Sequence, residues 1–417
     1  MKVGVIHYTA PAGEVGGVEV VIDSHARLLS EEGAEVHLVF GRGGELQYRN
    51  LSNHEVPLLS GSHPRVVKVQ EEILREGRQT EDFRSLKNEI KRDILCSLEG
   101  VETCIVHNIP SMPFNFAATA AINEISDESN LKMIFWIHDS ALTREEWKDR
   151  IGKFPLDLLH HKSPTTKYVT VTNARAKELS ELPSPYDVKA TVVPNGVSVN
   201  EYIRIDDVTK QLMKKLGLSF ENYIILTPVR VTPRKNIELA LYVVDELRHL
   251  MKAVREIKLL ITGPPDHQAQ KMGAKYLDYL QEVIERRGLH DAVIFCHDLI
   301  SRRRLVKNGR ILSWGVADAY NIADLVLLPS IEEGFGLPVI EAGASRRPVF
   351  CSRIPSFQEL IRDDIEGYMF DLHEEPKSIA FRIYRKYLED AVDNNFVNVM
   401  KRFSWDSIFK SKILPLL

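Results

Sequence analysis

Short continuous apolar runs alternate along this chain with longer amphipathic stretches, and each pattern predicts its own kind of element. The opening reads as strand, glycine-containing loop, helix and strand: KVGVIHYT, APAGEVGG, VEVVIDSHARLLSEEG and AEVHLVF. Val18, Val21, Ile22, His25, Leu28 and Leu29 recur at helical spacing, and Gly33 is placed to end that helix. This is a βαβ start. TCIVHN, KMIFWIHD, KYVTVT and ATVVPNG continue the strands, separated by polar or helical stretches such as VVKVQEEILREGRQTEDFRSLKNEIKRDILCSLEG. Strands that are apolar throughout are covered on both faces, which predicts a parallel sheet between helices.

After VVPNGVSVNEY the composition turns polar, and the same rhythm restarts at YIILTPVR. NIELALYVVDELRHLMKAV and GAKYLDYLQEVIERRGL read as helices; IKLLITGPP, AVIFCHD, DLVLLPS and PVFCS read as strands with their turns. The pattern therefore predicts an α/β protein of two doubly wound domains, residues 1–198 and 199–395, followed by a terminal segment 396–417. Within that segment FSWDSIFKSKILPLL is amphipathic, with Trp405, Ile408, Phe409 and Ile413 available to pack. It either closes the second domain or crosses back onto the first, and the pattern leaves both open. No short-period repeat or low-complexity tract interrupts the architecture.

Length agrees with this division, since 417 residues exceed one ordinary core. A net charge of −4 argues against a nucleic-acid partner, because polyphosphate binding shows as a basic excess. Cys96, Cys104, Cys296 and Cys351 form no C-x-x-C pair and lie in or beside apolar runs, as small core residues do. The first apolar stretch is broken by His7 and is too short for a signal peptide. No run approaches the roughly 20 residues that span a bilayer, so the expected location is the cytoplasm. Nothing in the pattern fixes an oligomeric state.

The stretch SIEEGFGLPVIEAGA carries the most pointed chemistry. DLVLLPS delivers the chain to Glu333 at the carboxyl end of a strand, where ligands of doubly wound sheets bind. Pro338 suits the first turn of a helix, so Gly334 to Leu337 form a loop ahead of unpaired backbone N–H groups. Such a helix start attracts phosphate. Glu333 precedes the helix and Glu341 lies about one turn inside it, so the two can serve separate parts of one elongated ligand. A carboxylate accepts two hydroxyl hydrogen bonds at once, which suits sugars and ribose. The competing structural reading makes Glu333 a residue favoured by the helix N-terminus and Glu341 an exposed helix position.

Glu333 and Glu341, with seven residues between them inside PSIEEGFGLPVIEAGA, resemble the E-x7-E motif of the retaining GT-B glycosyltransferases of family 4. PVRVTPRKNIELAL resembles the strand–loop–helix element of that family, and LLITGPP, VIFCHD, AYNIADLVLLPS and VVPNGVSVNEY fall in its order. VGGVEVVI and WIHDS resemble its Gly-Gly loop and its histidine-ended strand. The resemblance implies a GT-B fold, with two Rossmann-like domains facing a central cleft, and a nucleotide-diphosphate sugar held mostly by the second domain. It implies that Glu341 accepts the ribose hydroxyls and Glu333 those of the donor sugar, while Arg230 and Lys235 neutralise the departing diphosphate. Gly16, Gly17, Gly263, Gly334, Phe335, Gly336 and Leu337 complete the donor side in this reading. His138 meets the donor sugar, and His107, Asn108, Asn173 and Arg175 belong to the acceptor side. For Asn173 a plain helix cap is equally compatible with the sequence.

Retention, on the same resemblance, proceeds by front-face attack within one ion pair, so no protein nucleophile is assigned. The co-substrate is the nucleotide sugar, with no tightly bound cofactor; the sequence requires no divalent metal and excludes none. Within the group the first half most resembles mannosyltransferases making mannosylglucosylglycerate-type solutes, which implies GDP-mannose as donor and glucosyl-3-phosphoglycerate as acceptor. Arg144, Arg150 and Lys153 are available to an anionic acceptor, or else form a solvated charged stretch. The chain departs from the family at Arg346-Arg347-Pro348, where glycine commonly stands before x-Pro, and at Ser352-Arg353, where a Gly-Gly turn usually precedes Ile354-Pro355. Competing readings are a GT-B nucleotide-sugar epimerase or hydrolase and a non-catalytic nucleotide-sugar binder. A nicotinamide oxidoreductase fits poorly, because PAGEVGG is not G-x-G-x-x-G. A phosphorylase would bring pyridoxal phosphate.

Overall fold

The computed structural model describes residues 1–12, 17–202, 205–265, 270–307 and 309–417. Two compact units emerge, Met1–Ser198 together with Lys401–Leu417, and Val199–Met400. Gly16 falls outside the described residues.

The first unit is built on seven strands: β1 Lys2–Thr9, β2 Glu35–Arg42, β3 Leu51–Glu55, β4 Thr103–His107, β5 Lys132–Ile137, β6 Thr166–Thr170 and β7 Ala190–Val192. Their order is β3-β2-β1-β4-β5-β6-β7. Every pairing is parallel, with Val5 of β1 flanked by Leu38 and Ile105. The sheet is wound outward in both directions from the β1/β4 boundary, which is a topological switch point. The helix Gly17–Glu31 turns Val21, Ile22, His25, Leu28 and Leu29 inward, as its spacing predicts. The long charged stretch after residue 64 is two helices, Pro64–Glu76 and Glu81–Ser97, broken at Gly77 in the left-handed region and restarted by a Thr80 cap.

In the second unit β8 Asn222–Thr227, β9 Glu256–Ile261 and β10 Val293–Phe295 lead into a small three-stranded sheet of β11 Ile300–Ser301, β12 Leu305–Lys307 and β13 Arg310–Gly315. The main sheet then resumes with β14 Leu325–Leu328, β15 Val349–Ser352 and β16 Tyr368–Phe370. Its order is β10-β9-β8-β14-β15-β16, all parallel, with the switch point at β8/β14. The small sheet and β3 carry exposed or half-exposed side chains at most positions, so no apolar run announced them.

The terminal segment is shorter in α-helix than its amphipathic pattern predicts. Trp405–Ile408 is α-helical, Phe409–Ile413 forms a wider π turn and Leu414–Leu416 a tighter 3₁₀ turn. Trp405, Ile408, Phe409 and Ile413 are nonetheless all buried, in one cluster with Val3, Val5, Ile22, Leu38 and Trp136 of the first unit. Cys104, Cys296 and Cys351 are core residues, whereas Cys96 is exposed because it lies on the outer face of its helix. Among the described residues no helix is long and apolar enough to cross a membrane.

Candidate functional site

In the second unit the β8 and β14 strands sit side by side, so their carboxyl-end loops meet. After β8 the chain passes Arg230, makes a 3₁₀ turn at Pro233–Lys235, and starts the helix Ile237–Met251 through Asn236 in the left-handed region. After β14 it runs through Ser330 and Glu333 to the helix Leu337–Ala344. The Ile331 N–H donates to the Arg234 carbonyl at 2.8 Å and ties the loops together.

That tie brings Lys235 and Glu333 into a short charge-assisted hydrogen bond, with side chains only 8% and 9% exposed. Ser330 Oγ donates to the same Glu333 oxygen at 2.9 Å. Burial pushes the Lys235 ammonium below its ordinary range, and Glu333 opposes that shift. Lys235 is thus neither solvated nor unpaired. Its anion is Glu333, 98 residues along the chain, and only the β8/β14 adjacency makes the pair. Arg230, by contrast, is exposed, and no carboxylate among the described residues lies within ion-pair distance of it.

Glu341 is half-buried and accepts a 2.8 Å hydrogen bond from the Tyr320 hydroxyl on Oε2. Burial raises the Tyr320 phenol far above its usual range, with Glu341 adding to the effect, so it remains a donor. Tyr320 escaped the sequence reading because its side-chain partner lies 21 residues away across a strand and a loop. The helix start is built as Pro338 predicts. Gly336 adopts φ 104°, and a Cβ there would come within 2.8 Å of the Phe357 ring. Only glycine fits that position. Gly334 has open space around it, and Phe335 and Leu337 are each 55% exposed, so the loop offers its backbone and two apolar side chains outward. Gly263 serves the scaffold: a Cβ would lie 2.2 Å from the Val229 carbonyl oxygen, and the bare backbone lets Val231 N–H reach the Pro264 carbonyl at 3.1 Å.

The first unit gathers its own polar group at the ends of β1, β4 and β5. His138 follows β5, and its ring nitrogen Nε2 lies 3.0 Å from Nδ1 of His107, the last residue of β4. His107 is wholly buried, so the expectation that it touches an acceptor is not met in this arrangement; its partner is His138. Asn108, at φ 57°, accepts the His138 backbone N–H on Oδ1 at 2.9 Å and the Asp139 N–H at 3.4 Å. Its first task is therefore to hold the strand end. Arg175 bonds Thr143 at 3.1 Å and Asp139 at 3.3 Å, while Arg144 also pairs with Asp139. Although burial opposes ionisation, the Arg144 hydrogen bond and the nearby guanidinium charges hold the Asp139 carboxyl below its usual range. Asn173 is exposed, and the cap of its helix is Thr172, which accepts from Arg175 N–H at 3.0 Å. Arg150 lies over the Trp147 ring and Lys153 bonds the Asp149 carbonyl, so neither is an idle cation.

A cavity of about 500 Å³ opens beside this group, lined by His7, Gly17, Glu19, Arg42, Ser62 and Asn108 among others. His7 and Glu19 were not singled out as site residues by their pattern, although His7 is the one polar break in the first strand. His7 Nε2 stands 3.7 Å from Glu19, which accepts a 2.5 Å hydrogen bond from the Thr9 hydroxyl; the nearby imidazole and this hydroxyl, against the opposing effect of burial, hold the Glu19 carboxyl down to about 2. A Cβ added at Gly17 would meet nothing within 4 Å, which leaves that wall open. Among the described residues no group of three His, Cys, Asp or Glu is placed to hold a metal ion.

The imidazoles set an acid limit on this unit. Burial pushes His25 to about 3, His138 to about 4 and His160 to about 4, from an ordinary value of 6.5. The unfolded chain protonates these rings below pH 6.5 while the folded chain does not, so stability falls as the pH drops from there toward 4. Each ring is expected to contribute up to about 1.4 kcal/mol of loss per pH unit within that window. Thermal unfolding recorded from pH 7 to 4.5 checks this; His25→Phe should flatten the slope, and an unchanged slope contradicts it.

Two family models match the chain: Glycosyltransferase Family 4 over residues 15–201 and Glycosyl transferases group 1 over residues 208–402. The mannosylglucosylglycerate synthase of Petrotoga mobilis is 25% identical over 382 residues, covering 86% of this chain and 84% of that one. The enzyme of the same name from Thermotoga maritima is 23% identical, covering 87% and 83%. The solved sucrose-phosphate synthase of Thermosynechococcus elongatus aligns over 99% of this chain and 98% of its own, with 15% identity and a TM-score of 0.40.

Proposed function

Because the chain belongs to the group 1 glycosyl transferases, with an amino-terminal domain of glycosyltransferase family 4, we propose that it moves a hexose from a nucleoside-diphosphate sugar to an acceptor hydroxyl. The observation that carries this reading is the buried Lys235–Glu333 pair, set one loop ahead of a helix start whose Glu341 is aimed by Tyr320. In it the diphosphate lies against Lys235, exposed Arg230 and the first-turn N–H groups of Leu337–Ala344. Glu341 takes the two ribose hydroxyls, and Glu333 takes hydroxyls of the sugar.

The chemistry follows from charge. The bond between the anomeric carbon and the diphosphate oxygen breaks, negative charge grows on that oxygen, and the fixed cations stabilise it as it forms. The acceptor oxygen bonds the same face of the anomeric carbon, and its proton passes to the departing phosphate. Product configuration is then retained without a protein nucleophile.

The finer assignment is mannosyl transfer from GDP-mannose to glucosyl-3-phosphoglycerate. It is supported by the name shared by the two relatives, which specifies mannosylglucosylglycerate and no phosphate. Glucosylglycerate therefore belongs beside the phosphorylated acceptor in the assay. Purified protein is incubated with GDP-mannose, UDP-glucose, UDP-N-acetylglucosamine and ADP-glucose, with each acceptor and without, and products are read by mass. One hexose added only from GDP-mannose and only with acceptor is the expected result. Free hexose without acceptor favours the hydrolase reading, and no turnover of any sugar nucleotide contradicts hexosyl transfer.

Tyr320→Phe removes the hydroxyl that orients Glu341 while leaving the carboxylate in place. Nucleoside-diphosphate affinity is expected to fall about 5- to 10-fold, the worth of one hydrogen bond, with the melting temperature nearly unchanged. Calorimetric titration of the variant against the parent checks it; equal affinities contradict the role given to Glu341.

A further inference from the structure

We propose that His107 is a positioning residue: it donates from Nδ1 to His138 Nε2 and thereby fixes His138 as the tautomer that carries its own proton on Nδ1. The proposal rests on the reading of His138 as the imidazole that meets the reacting sugars, and it specifies how that imidazole is presented.

The two ring nitrogens are 3.0 Å apart, with ring centroids at 5.3 Å and planes inclined by 24°. Burial holds His107 well below the ordinary imidazole range, with the charge of His138 as the next cause, and holds His138 at about 4. Near neutral pH each ring therefore carries one proton, and the bond between them must have a direction. Two assignments exist: either His107 Nδ1–H donates to His138, or His138 Nε2–H donates to His107.

The surroundings of His107 choose between them. Its other nitrogen, Nε2, is buried without a hydrogen-bond partner. If the His107 proton sat there, an N–H would be buried unpaired, whereas a proton on Nδ1 leaves only an unused lone pair. Orphaned buried N–H groups are the rarer and costlier defect. No ring packed on His107 makes a hydrogen bond to that nitrogen. Trp136, with its centroid 5.7 Å away, bears only a donor, and its Nε1–H has no hydrogen-bond partner. His25, at 5.3 Å, has both ring nitrogens unpartnered and can present either a donor or a lone pair.

The rest of the corner leaves His138 little other freedom. Asn108 Oδ1 holds the His138 backbone N–H at 2.9 Å, and His7 Nδ1–H donates to the His107 carbonyl at 3.0 Å. The main chain of both histidines is thus fixed, and the ring-to-ring bond fixes the imidazole torsion. His138 is half-buried, and its Nδ1 has no partner among the described residues. It follows that His138 offers a neutral N–H donor to an oxygen of a bound sugar, and is not presented as a proton acceptor.

The test is a long-range ¹H–¹⁵N correlation spectrum of the full-length protein labelled with ¹⁵N-histidine, at neutral pH, with His138→Gln assigning the ring. The expected result is a pyrrole-like Nδ1 and a pyridine-like Nε2 for both His107 and His138. A pyridine-like Nδ1 on His138 overturns the proposal, and it does so whether or not any sugar nucleotide turns over. His107→Phe should release the His138 signals to an average of both tautomers. It should also lower kcat about tenfold, the worth of one aligned hydrogen bond, with donor KM within twofold of the parent. Unchanged tautomer signals in a folded His107→Phe protein likewise overturn it.

Discussion

Lys235→Ala is expected to lower turnover of the donor by about 10³-fold, the upper end for loss of one group aimed at a developing negative charge. Glu333→Gln should be nearly as damaging, for a second reason. Glutamine keeps an acceptor for Ser330 Oγ but removes the charge that holds the buried Lys235 ammonium. An ammonium left without its anion either loses its proton or destabilises the fold by about 3 kcal/mol, as breaking a buried ion pair does. The two consequences separate in a double-mutant cycle. Lys235→Ala with Glu333→Ala should cost less stability than the single losses added together, because no orphan charge remains, while activity stays lost in all three proteins. Chemical denaturation together with initial rates makes the measurement. Additive stability losses contradict the pairing, and a Lys235→Ala enzyme with full turnover contradicts the role in catalysis.

The largest expected effect on stability lies elsewhere in the second unit. Arg255 has a side chain 2% exposed and binds Asp324 at 3.1 Å, Asp393 at 3.1 Å and the Phe220 carbonyl at 3.2 Å, with a further bond to the Asn222 carbonyl. Its guanidinium also lies 5.3 Å from the Tyr223 ring centroid. Arg255→Met should destabilise the unit by about 3–5 kcal/mol, because two carboxylates lose their common cation. The pH dependence carries the sign. Desolvation already raises Asp324 to about 6 against an ordinary 3.8, with Arg255 opposing it. A carboxyl raised on folding stabilises below its unfolded value and loses that contribution as the pH rises through its folded value. Removing Arg255 raises Asp324 further, so the defect should be greatest at neutral pH and shrink as the pH falls through 6. Urea unfolding at pH 7.5 and pH 5 checks this; an equal loss at both contradicts it.

These two sites differ in how far the sequence shows them. Apart from β3 and β16, the strands of the two main sheets were visible as apolar runs, since a doubly covered parallel strand has no polar face to hide it. The turn at Gly336 and the helix start at Pro338 were visible because backbone conformation restricts the residue type. Glu333 and Glu341 stood out through their spacing, but their partners did not. Lys235 meets Glu333 only because β8 and β14 are neighbours, and Tyr320 meets Glu341 across a strand and a loop. Arg255 is an ordinary residue before a strand until three separate segments converge on it. Thr172 and Asn173 are both good caps one position apart, and local preference cannot choose between them. The small sheet β11–β13 exposes most of its side chains, so the apolar signal that marks the other strands is missing there.

We propose the carboxyl edge of the second sheet as a nucleoside-diphosphate-sugar site. Calorimetric titration of GDP, UDP and ADP into the parent protein and into Glu341→Ala tests it most directly, since it needs neither the sugar nor the acceptor. Saturable binding of one of the three at a single site is expected, weakened at least about tenfold in the variant by the loss of a carboxylate that accepts two hydroxyls. Binding that is indifferent to Glu341, or no binding of any nucleoside diphosphate, would contradict it.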